Sequence, residues 1–191
     1  MKLISFEQNG SNRIGAIENG FIYDFHSIDS NISDSMLGFL QGGEVQMNLA
    51  NKAIDSGKTS IPIDTVKLLS PLSNPPSVRD AYAFRQHVAT ARKNRGLEMI
   101  PEFDEIPIFY FTNHNAVFGP GNFPVLKRHT EKLDFELECA AVIGKAGRDI
   151  PVSEADNYIT GFMIMNDFSA RALQMQEMKL NLGPAKGKDF G

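Results

Sequence analysis

The sequence has a single cysteine, Cys139. No internal disulfide framework is available, and the reducing cytoplasm is the expected compartment. No run of about 18 apolar residues exists, so neither a transmembrane helix nor a membrane partner is expected. The opening residues, Met1-Lys2-Leu3-Ile4-Ser5-Phe6-Glu7, lack the apolar stretch of about 7–15 residues that a signal peptide needs. Basic charge is not in excess: 19 Lys and Arg stand against 23 Asp and Glu, for a net charge of −4. That balance excludes a nucleic-acid footprint and favours a small-molecule or protein partner. One cysteine and four scattered histidines supply no tetrahedral nitrogen and sulfur set for zinc. Internal repeats and low-complexity tracts are absent as well. What remains is 191 residues, 42% of them apolar and 22% charged, the composition of an ordinary globular protein.

The first third reads as short strands and helices. Apolar runs at residues 2–6, 13–17 and 21–25 are separated by Asn9-Gly10 and Asn19-Gly20, strong hairpin signals that predict a three-stranded meander. Short helices are expected over 36–40 and 47–54, ending at the glycines of 42–43 and 57, with a strand over 66–69. Pro75-Pro76 breaks regular structure, which places a domain boundary near residue 70: a small β-rich accessory domain over 1–70 and a second domain over 71–191. Ser77 then opens a predicted helix carrying Ala81, Phe84, Val88 and Ala91 at helical spacing and stopping at Gly96. Strands are expected over 108–111, 116–118, 133–143 and 160–165, and a helix over 170–179.

Three places carry chemistry. In Leu133-Asp134-Phe135-Glu136-Leu137-Glu138-Cys139 the alternation of a strand puts Asp134, Glu136 and Glu138 on one face and apolar residues on the other. Glu136 and Glu138 would lie about 7 Å apart, close enough for one cation to bridge. A solvated acidic face is the alternative, although such a face normally mixes in Lys and Arg, which this strand lacks. Asp167 sits where an apolar strand is expected to give way to a helix, as a helix cap or as a metal ligand. Asp80 and His87 are two helical turns apart and would share a face, as cap and surface histidine or as a working pair. Oxygen donors of this kind point to Mg²⁺, with Mn²⁺ or Ca²⁺ as alternatives. Two look-alike motifs fail. Gly183 to Asp189 has the wrong glycine spacing for a phosphate-binding loop, and Asp189-Phe190-Gly191 lacks the other kinase motifs.

From about residue 75 onward the chain resembles the fumarylacetoacetate hydrolase family. The resemblance rests on Asp80-Ala81-Tyr82-Ala83-Phe84-Arg85-Gln86-His87, then Asp134-Phe135-Glu136-Leu137-Glu138, then Met165-Asn166-Asp167-Phe168-Ser169-Ala170-Arg171, with Gln174 and Gly183-Pro184-Ala185-Lys186-Gly187-Lys188 following in family order. It implies an α+β, β-rich fold, a mixed β-sandwich roll preceded by the small β-rich domain. It also implies that Glu136, Glu138 and Asp167 are divalent-metal carboxylates with Asp80 as a fourth. By the same resemblance His87 is a catalytic histidine, Lys188 stabilises an anion, and Tyr82, Tyr110 and Gln174 contact substrate. An arginine shares that last role, with Arg92 and Arg95 both near its place.

The implied function is metal-dependent hydrolysis of a C–C bond in a β-diketone-like acid, of the fumarylacetoacetate or acylpyruvate type met in aromatic-compound catabolism. The metal would polarise a carbonyl and His87 would take a proton from the attacking water. A decarboxylase, isomerase or hydratase of 2-oxo-dioic acids is the alternative within the family, and an inactive truncated remnant the alternative outside catalysis. Homodimers are expected by the same resemblance. The sequence departs from the family at Phe111-Thr112-Asn113-His114, where many relatives carry Lys-Pro, and near Met178, where a tyrosine is usual. Family members also continue past the Lys188 loop with strands that close the roll and a carboxylate that orients the histidine. The expectation is therefore a chain lacking its C-terminal part, or a shortened natural gene.

Overall fold

The structure is a computed structural model describing residues 1–58, 60–181 and 183–191. Its first 68 residues build a five-stranded antiparallel sheet. Strands β1 (Lys2–Gln8), β2 (Ser11–Glu18) and β3 (Phe21–Asp24) form the expected meander. Each hairpin turns on two residues of positive φ, Asn9 at 52° with Gly10 at 77°, and Asn19 at 50° with Gly20 at 81°. Turns of that hand match the twist of the strands they join. Two short strands extend the meander on either side, β4 (Ser60–Pro62) beside β3 and β5 (Lys67–Leu68) beside β1. The sequence reading missed β4, whose Pro62 argues against a strand, and proline is tolerated there because β4 lies at the sheet edge.

Helices α1 (Phe25–Ile28), α2 (Met36–Gln41) and α3 (Gly43–Asp55) pack against this sheet. Asp24 caps α1 through the Ser27 amide, and Ser35 caps α2 through the Gly38 amide. Helix α3 starts four residues earlier than expected, directly after Gly42. The buried cluster between these layers comprises Ile14, Ala16, Phe25, Ile32, Met36, Phe39, Leu40, Ala50 and Ala53, with Phe25 and Phe39 stacked at 5.4 Å.

Beyond Pro75-Pro76 the chain forms two antiparallel ribbons. The first pairs β6 (Val78–Ala81) with β7 (Phe109–Thr112). Between them lie α4 (Arg85–Lys93) and the single turn α5 (Glu102–Glu105). The second ribbon pairs β8 (Leu133–Ile143) with β9 (Ile159–Ala170), followed by α6 (Arg171–Glu177) and the 3₁₀ turn Met178–Leu180. The fold is α+β and β-rich as expected, and every strand pairing among the described residues is antiparallel. No described helix is long and apolar enough to cross a membrane.

Three local expectations are corrected. Residues 77–84 do not begin a helix, because Val78–Ala81 pairs with Phe109–Thr112 and the helix starts only at Arg85. Asp80 therefore sits on a strand and shares no helix face with His87. Residues 116–118 form no strand. The strand expected to end before Asp167 runs on to Ala170, because β8 offers a ladder partner at every position, so Asp167 caps nothing.

Candidate metal centre

The centre lies where the two ribbons meet. Asp80 projects from β6, Glu136 and Glu138 from one face of β8, and Asp167 from β9, directly opposite Glu136 in the ladder. One carboxylate oxygen from each of these four residues lies within 4.8 Å of the others. Asp80, Glu136 and Glu138 are half-buried and Asp167 is buried. Of the faces of β8 it is the acidic one that turns inward. Leu137 on the other face of β8 and Ile164, the β9 partner of Cys139 on that same side of the ribbon, are 72% and 81% exposed, which settles the choice between a solvated and an inward acidic face against the usual apolar-in arrangement.

Tyr110 ties the ribbons together. It stands opposite Asp80 across β6 and β7, and its hydroxyl donates to Asp80 Oδ2 at 2.6 Å and lies 3.3 Å from Asp167 Oδ2. Burial, then the hydrogen bond to Asp80, pushes its ionisation far above the usual tyrosine range, so the hydroxyl remains a donor. Lys188 reaches in from the loop after α6. Its ammonium, 4% exposed at the side chain, lies 2.5 Å from Asp167 Oδ2 and 2.9 Å from Glu136 Oε2. Arg171, the first residue of α6, holds the other oxygen of Glu136 at 2.7 Å and Asp134 at 2.9 Å.

These partners divide the carboxylates. Burial pushes Glu136 up, but the hydrogen bonds from Lys188 and Arg171 outweigh it and hold the group below the usual range. Glu138 is pushed up to about 7 by burial and by the charges of Asp80, Asp167 and Glu136. Asp167 is raised to about 6 by burial, with Lys188 pulling against it. Four crowded carboxylates on rigid strands, two of them, Asp80 and Glu138, without an ion-pair partner among the described residues, are a hard oxygen donor set that fits Mg²⁺, Mn²⁺ or Ca²⁺ and suits no soft metal.

The remaining sequence-derived candidates are dispersed. His87 is exposed on α4, makes no hydrogen bond to the four carboxylates, and meets the Tyr82 ring edge-on at 6.1 Å. Tyr82 lies between β6 and α4, with its other ring neighbour Phe103 at 6.3 Å. Gln174 on α6 accepts from Arg171 at 3.1 Å and packs its backbone against Gly187. Arg92 turns its guanidinium to the Glu98 carbonyl, and Arg95 bonds the Ala91 carbonyl at 3.2 Å. Both arginines thus serve the end of α4 rather than the acidic cluster.

Arg171 stood within a recognised motif, yet no role was read for it from the sequence. A signal existed, because an arginine in the first helical turn opposes the helix dipole and so needs an acidic partner elsewhere. Here Asp134 and Glu136 supply it.

Comparison with known proteins shows the family and the fold. The family model described as "Fumarylacetoacetate (FAA) hydrolase C-terminal" matches residues 77–191. A mitochondrial oxaloacetate tautomerase of Xenopus laevis is 27% identical over 181 residues, covering 93% of this chain and 54% of its own length. Its Homo sapiens counterpart is 27% identical over 157 residues, covering 82% and 48%. The chain thus spans about half the length of the curated relatives it matches. Among solved structures, a fumarylacetoacetate hydrolase from Exiguobacterium antarcticum superposes with a TM-score of 0.66 at 29% identity, over 99% of this chain and 62% of that one. A maleylpyruvate hydrolase from Sphingobium sp. SYK-6, solved with manganese(II) and pyruvate, shares the fold at 19% identity and a TM-score of 0.66, over 90% and 60%.

Proposed function

This chain belongs to the fumarylacetoacetate hydrolase family, and on that premise we propose that it draws a 2-oxo acid toward its enol at a divalent cation held by Asp80, Glu136, Glu138 and Asp167. The observation that carries the proposal is the convergence of those four carboxylates from three strands with the Lys188 ammonium among them. A bound Mg²⁺ or Mn²⁺ would supply Lewis-acid polarisation of the substrate carbonyl. Lys188 holds a fixed positive charge beside the carboxylates, suited to offset the negative charge a carbonyl oxygen would gain as a proton passes from the neighbouring carbon to solvent at this half-buried site and returns from solvent to the oxygen. Tyr110 stays protonated and donates, fixing Asp80 and Asp167 in place. Gln174 and Tyr82 complete the substrate contacts of this reading, and a homodimer is its assembly. The oxaloacetate tautomerases among the relatives are named for chemistry of this class.

Hydrolysis of a C–C bond in an acylpyruvate-type acid is the second reading. It is favoured by the contact between His87 and Tyr82, on the segment that leads out of β6 beside Asp80. There His87 would take the proton of the attacking water. The exposure of His87 and its lack of a hydrogen bond to the cluster place this reading second.

The test is purified 191-residue protein with Mg²⁺, offered oxaloacetate and an acylpyruvate in parallel. Accelerated keto–enol interconversion, abolished by chelation and retained in His87→Ala, is the expected result. No acceleration with either Mg²⁺ or Mn²⁺ overturns the enolising proposal. Acylpyruvate cleavage that collapses in His87→Ala would put the hydrolytic reading first.

A further inference from the structure

We infer that Glu177 is a positioning residue for Lys188, a role that rests on reading Lys188 as the positive charge of the site. Glu177 is the last residue of α6, and its Oε1 accepts two backbone amides from the loop that follows, Ala185 N at 2.8 Å and Gly187 N at 3.1 Å. Those amides lie within the turn that delivers the lysine. The Lys188 and Asp189 amides both donate to the Ala185 carbonyl at 2.8 Å, closing the turn. Within it Lys186 and Asp189 are exposed while Lys188 points inward. An anion in the last turn of a helix opposes the helix dipole, so Glu177 gains nothing from its own helix. Its compensation is the pair of loop amides.

The other side of the loop is held too. The Gly187 carbonyl accepts the Ala170 amide at 2.8 Å. A Cβ at Gly187 would fall 2.8–2.9 Å from the Cβ, Cα and N of Gln174, so the loop sits directly on α6. With its carbonyl bound to the end of β9 and its amide bound to Glu177, Gly187 cannot swing. The residue after it therefore enters the cluster from a fixed point. Lys188 must reach Asp167 and Glu136 at once, and a displacement of about 1 Å in such a contact is enough to lose it. Glu177 touches no reacting atom and acts only through this loop.

The prediction separates acceptor from charge. Glu177→Gln keeps a carbonyl oxygen for both amides, whereas Glu177→Ala keeps none. Native lysines of the full 191-residue protein are acylated with trace acetic anhydride and read by mass spectrometry. In the wild type and Glu177→Gln, Lys188 should be protected. In Glu177→Ala it should react at least tenfold faster, with exposed Lys52 on α3 unchanged. Glu177→Met, which fills the space without an acceptor, gives the same readout should the alanine variant fail to fold. Equal protection of Lys188 in the variants without an acceptor overturns the inference, as does exposure in Glu177→Gln equal to that in Glu177→Ala. Mg²⁺-dependent oxalate binding supplies the functional arm. Affinity should fall about tenfold in Glu177→Ala and not change further when Glu177→Ala is added to Lys188→Met. A full-sized further loss in that background overturns the inference. A wild type that binds no oxalate defeats the functional proposal instead, and the labelling arm still decides the role of Glu177.

Discussion

Replacing Glu138 by glutamine should stabilise the metal-free protein and weaken its response to metal, two effects of opposite sign from one change. Glu138 accepts no hydrogen bond from any described residue, so the amide forfeits no contact. Its carboxyl is moved from 4.5 to about 7 by burial and the neighbouring carboxylates. At about 1.36 kcal/mol per pKa unit this disfavours the ionised form by about 3 kcal/mol. Because the side chain is half in contact with solvent, screening reduces the expected effect to about 1–2 kcal/mol. The sign follows from the raised folded-state value. The folded protein holds this proton more tightly than the unfolded chain, so the contribution is complete below about pH 4.5 and is lost as pH rises through about 7. In a chelating buffer at pH 8, Glu138→Gln should therefore melt about 3–6 °C above the wild type, given about 2–4 °C per kcal/mol for a domain of this size. At pH 5 the two should nearly coincide. Added Mg²⁺ at about 100 times its dissociation constant should stabilise the wild type by about 2.7 kcal/mol, and the variant by less than half of that. Thermal unfolding followed by circular dichroism at both pH values, with and without Mg²⁺, measures all four states. A variant less stable than the wild type at pH 8 in chelator, or an equal Mg²⁺ response in both proteins, refutes the reasoning.

Lys188→Met leaves buried Asp167 and half-buried Glu136 without the ammonium that lies 2.5 and 2.9 Å from them. Losing one partner of a buried pair costs about 3–5 kcal/mol, and urea denaturation in chelator should show a loss of that order, partly restored by Mg²⁺. Tyr110→Phe removes the hydroxyl that donates to Asp80 at 2.6 Å. It should cost about 1–3 kcal/mol in chelator and weaken Mg²⁺ binding severalfold by calorimetry, and unchanged metal affinity would remove Tyr110 from the centre. Phe39→Ala empties a fully buried position stacked on Phe25, for an expected loss of about 3–5 kcal/mol. Because Phe39 lies in the cluster under the five-stranded sheet, the Glu138 and Lys188 effects should persist unchanged in its background.

Much of the first 68 residues was legible because local rules decide it. Asn9-Gly10 and Asn19-Gly20 set two hairpins, and the strands between them are paired to their neighbours in sequence. Strand β8 was legible for a related reason: acidic and apolar residues alternate over 133–139 and an apolar run continues to Ile143, and the expected limits of 133–143 are those observed. What failed was non-local. Ala81, Phe84, Val88 and Ala91 carry a helical period, but Val78–Ala81 is claimed by β7, about 30 residues away. Pairing of that kind overrides local propensity and leaves no trace in a short window. The continuation of β9 through Asp167 has the same origin, since an apolar pattern cannot show that the partner strand is long enough to hold it. The metal carboxylates were visible as residues, whereas the place of Asp80 beside the other three depends on the ribbon β6–β7, which the helical reading had removed.

The charges of the centre explain why its acidic face turns inward at all. Asp80, Glu136, Glu138 and Asp167 bring four negative charges together, and Lys188 and Arg171 return two, with Arg171 shared with Asp134. Two charges are left over. A half-buried cluster can shed them in only two ways, by taking up protons or by taking up a cation. The proton route is the one that burial favours, with Glu138 raised to about 7 and Asp167 to about 6. At neutral pH and above, protons no longer cancel the excess, and one dication matches it. Were the cluster only a solvated acidic strand, neither the inward Lys188 nor Arg171 against its own helix dipole would be needed. Both cations fall on Glu136 and Asp167, which leaves the oxygens of Asp80 and Glu138 as the side of the cluster from which a dication would be drawn in.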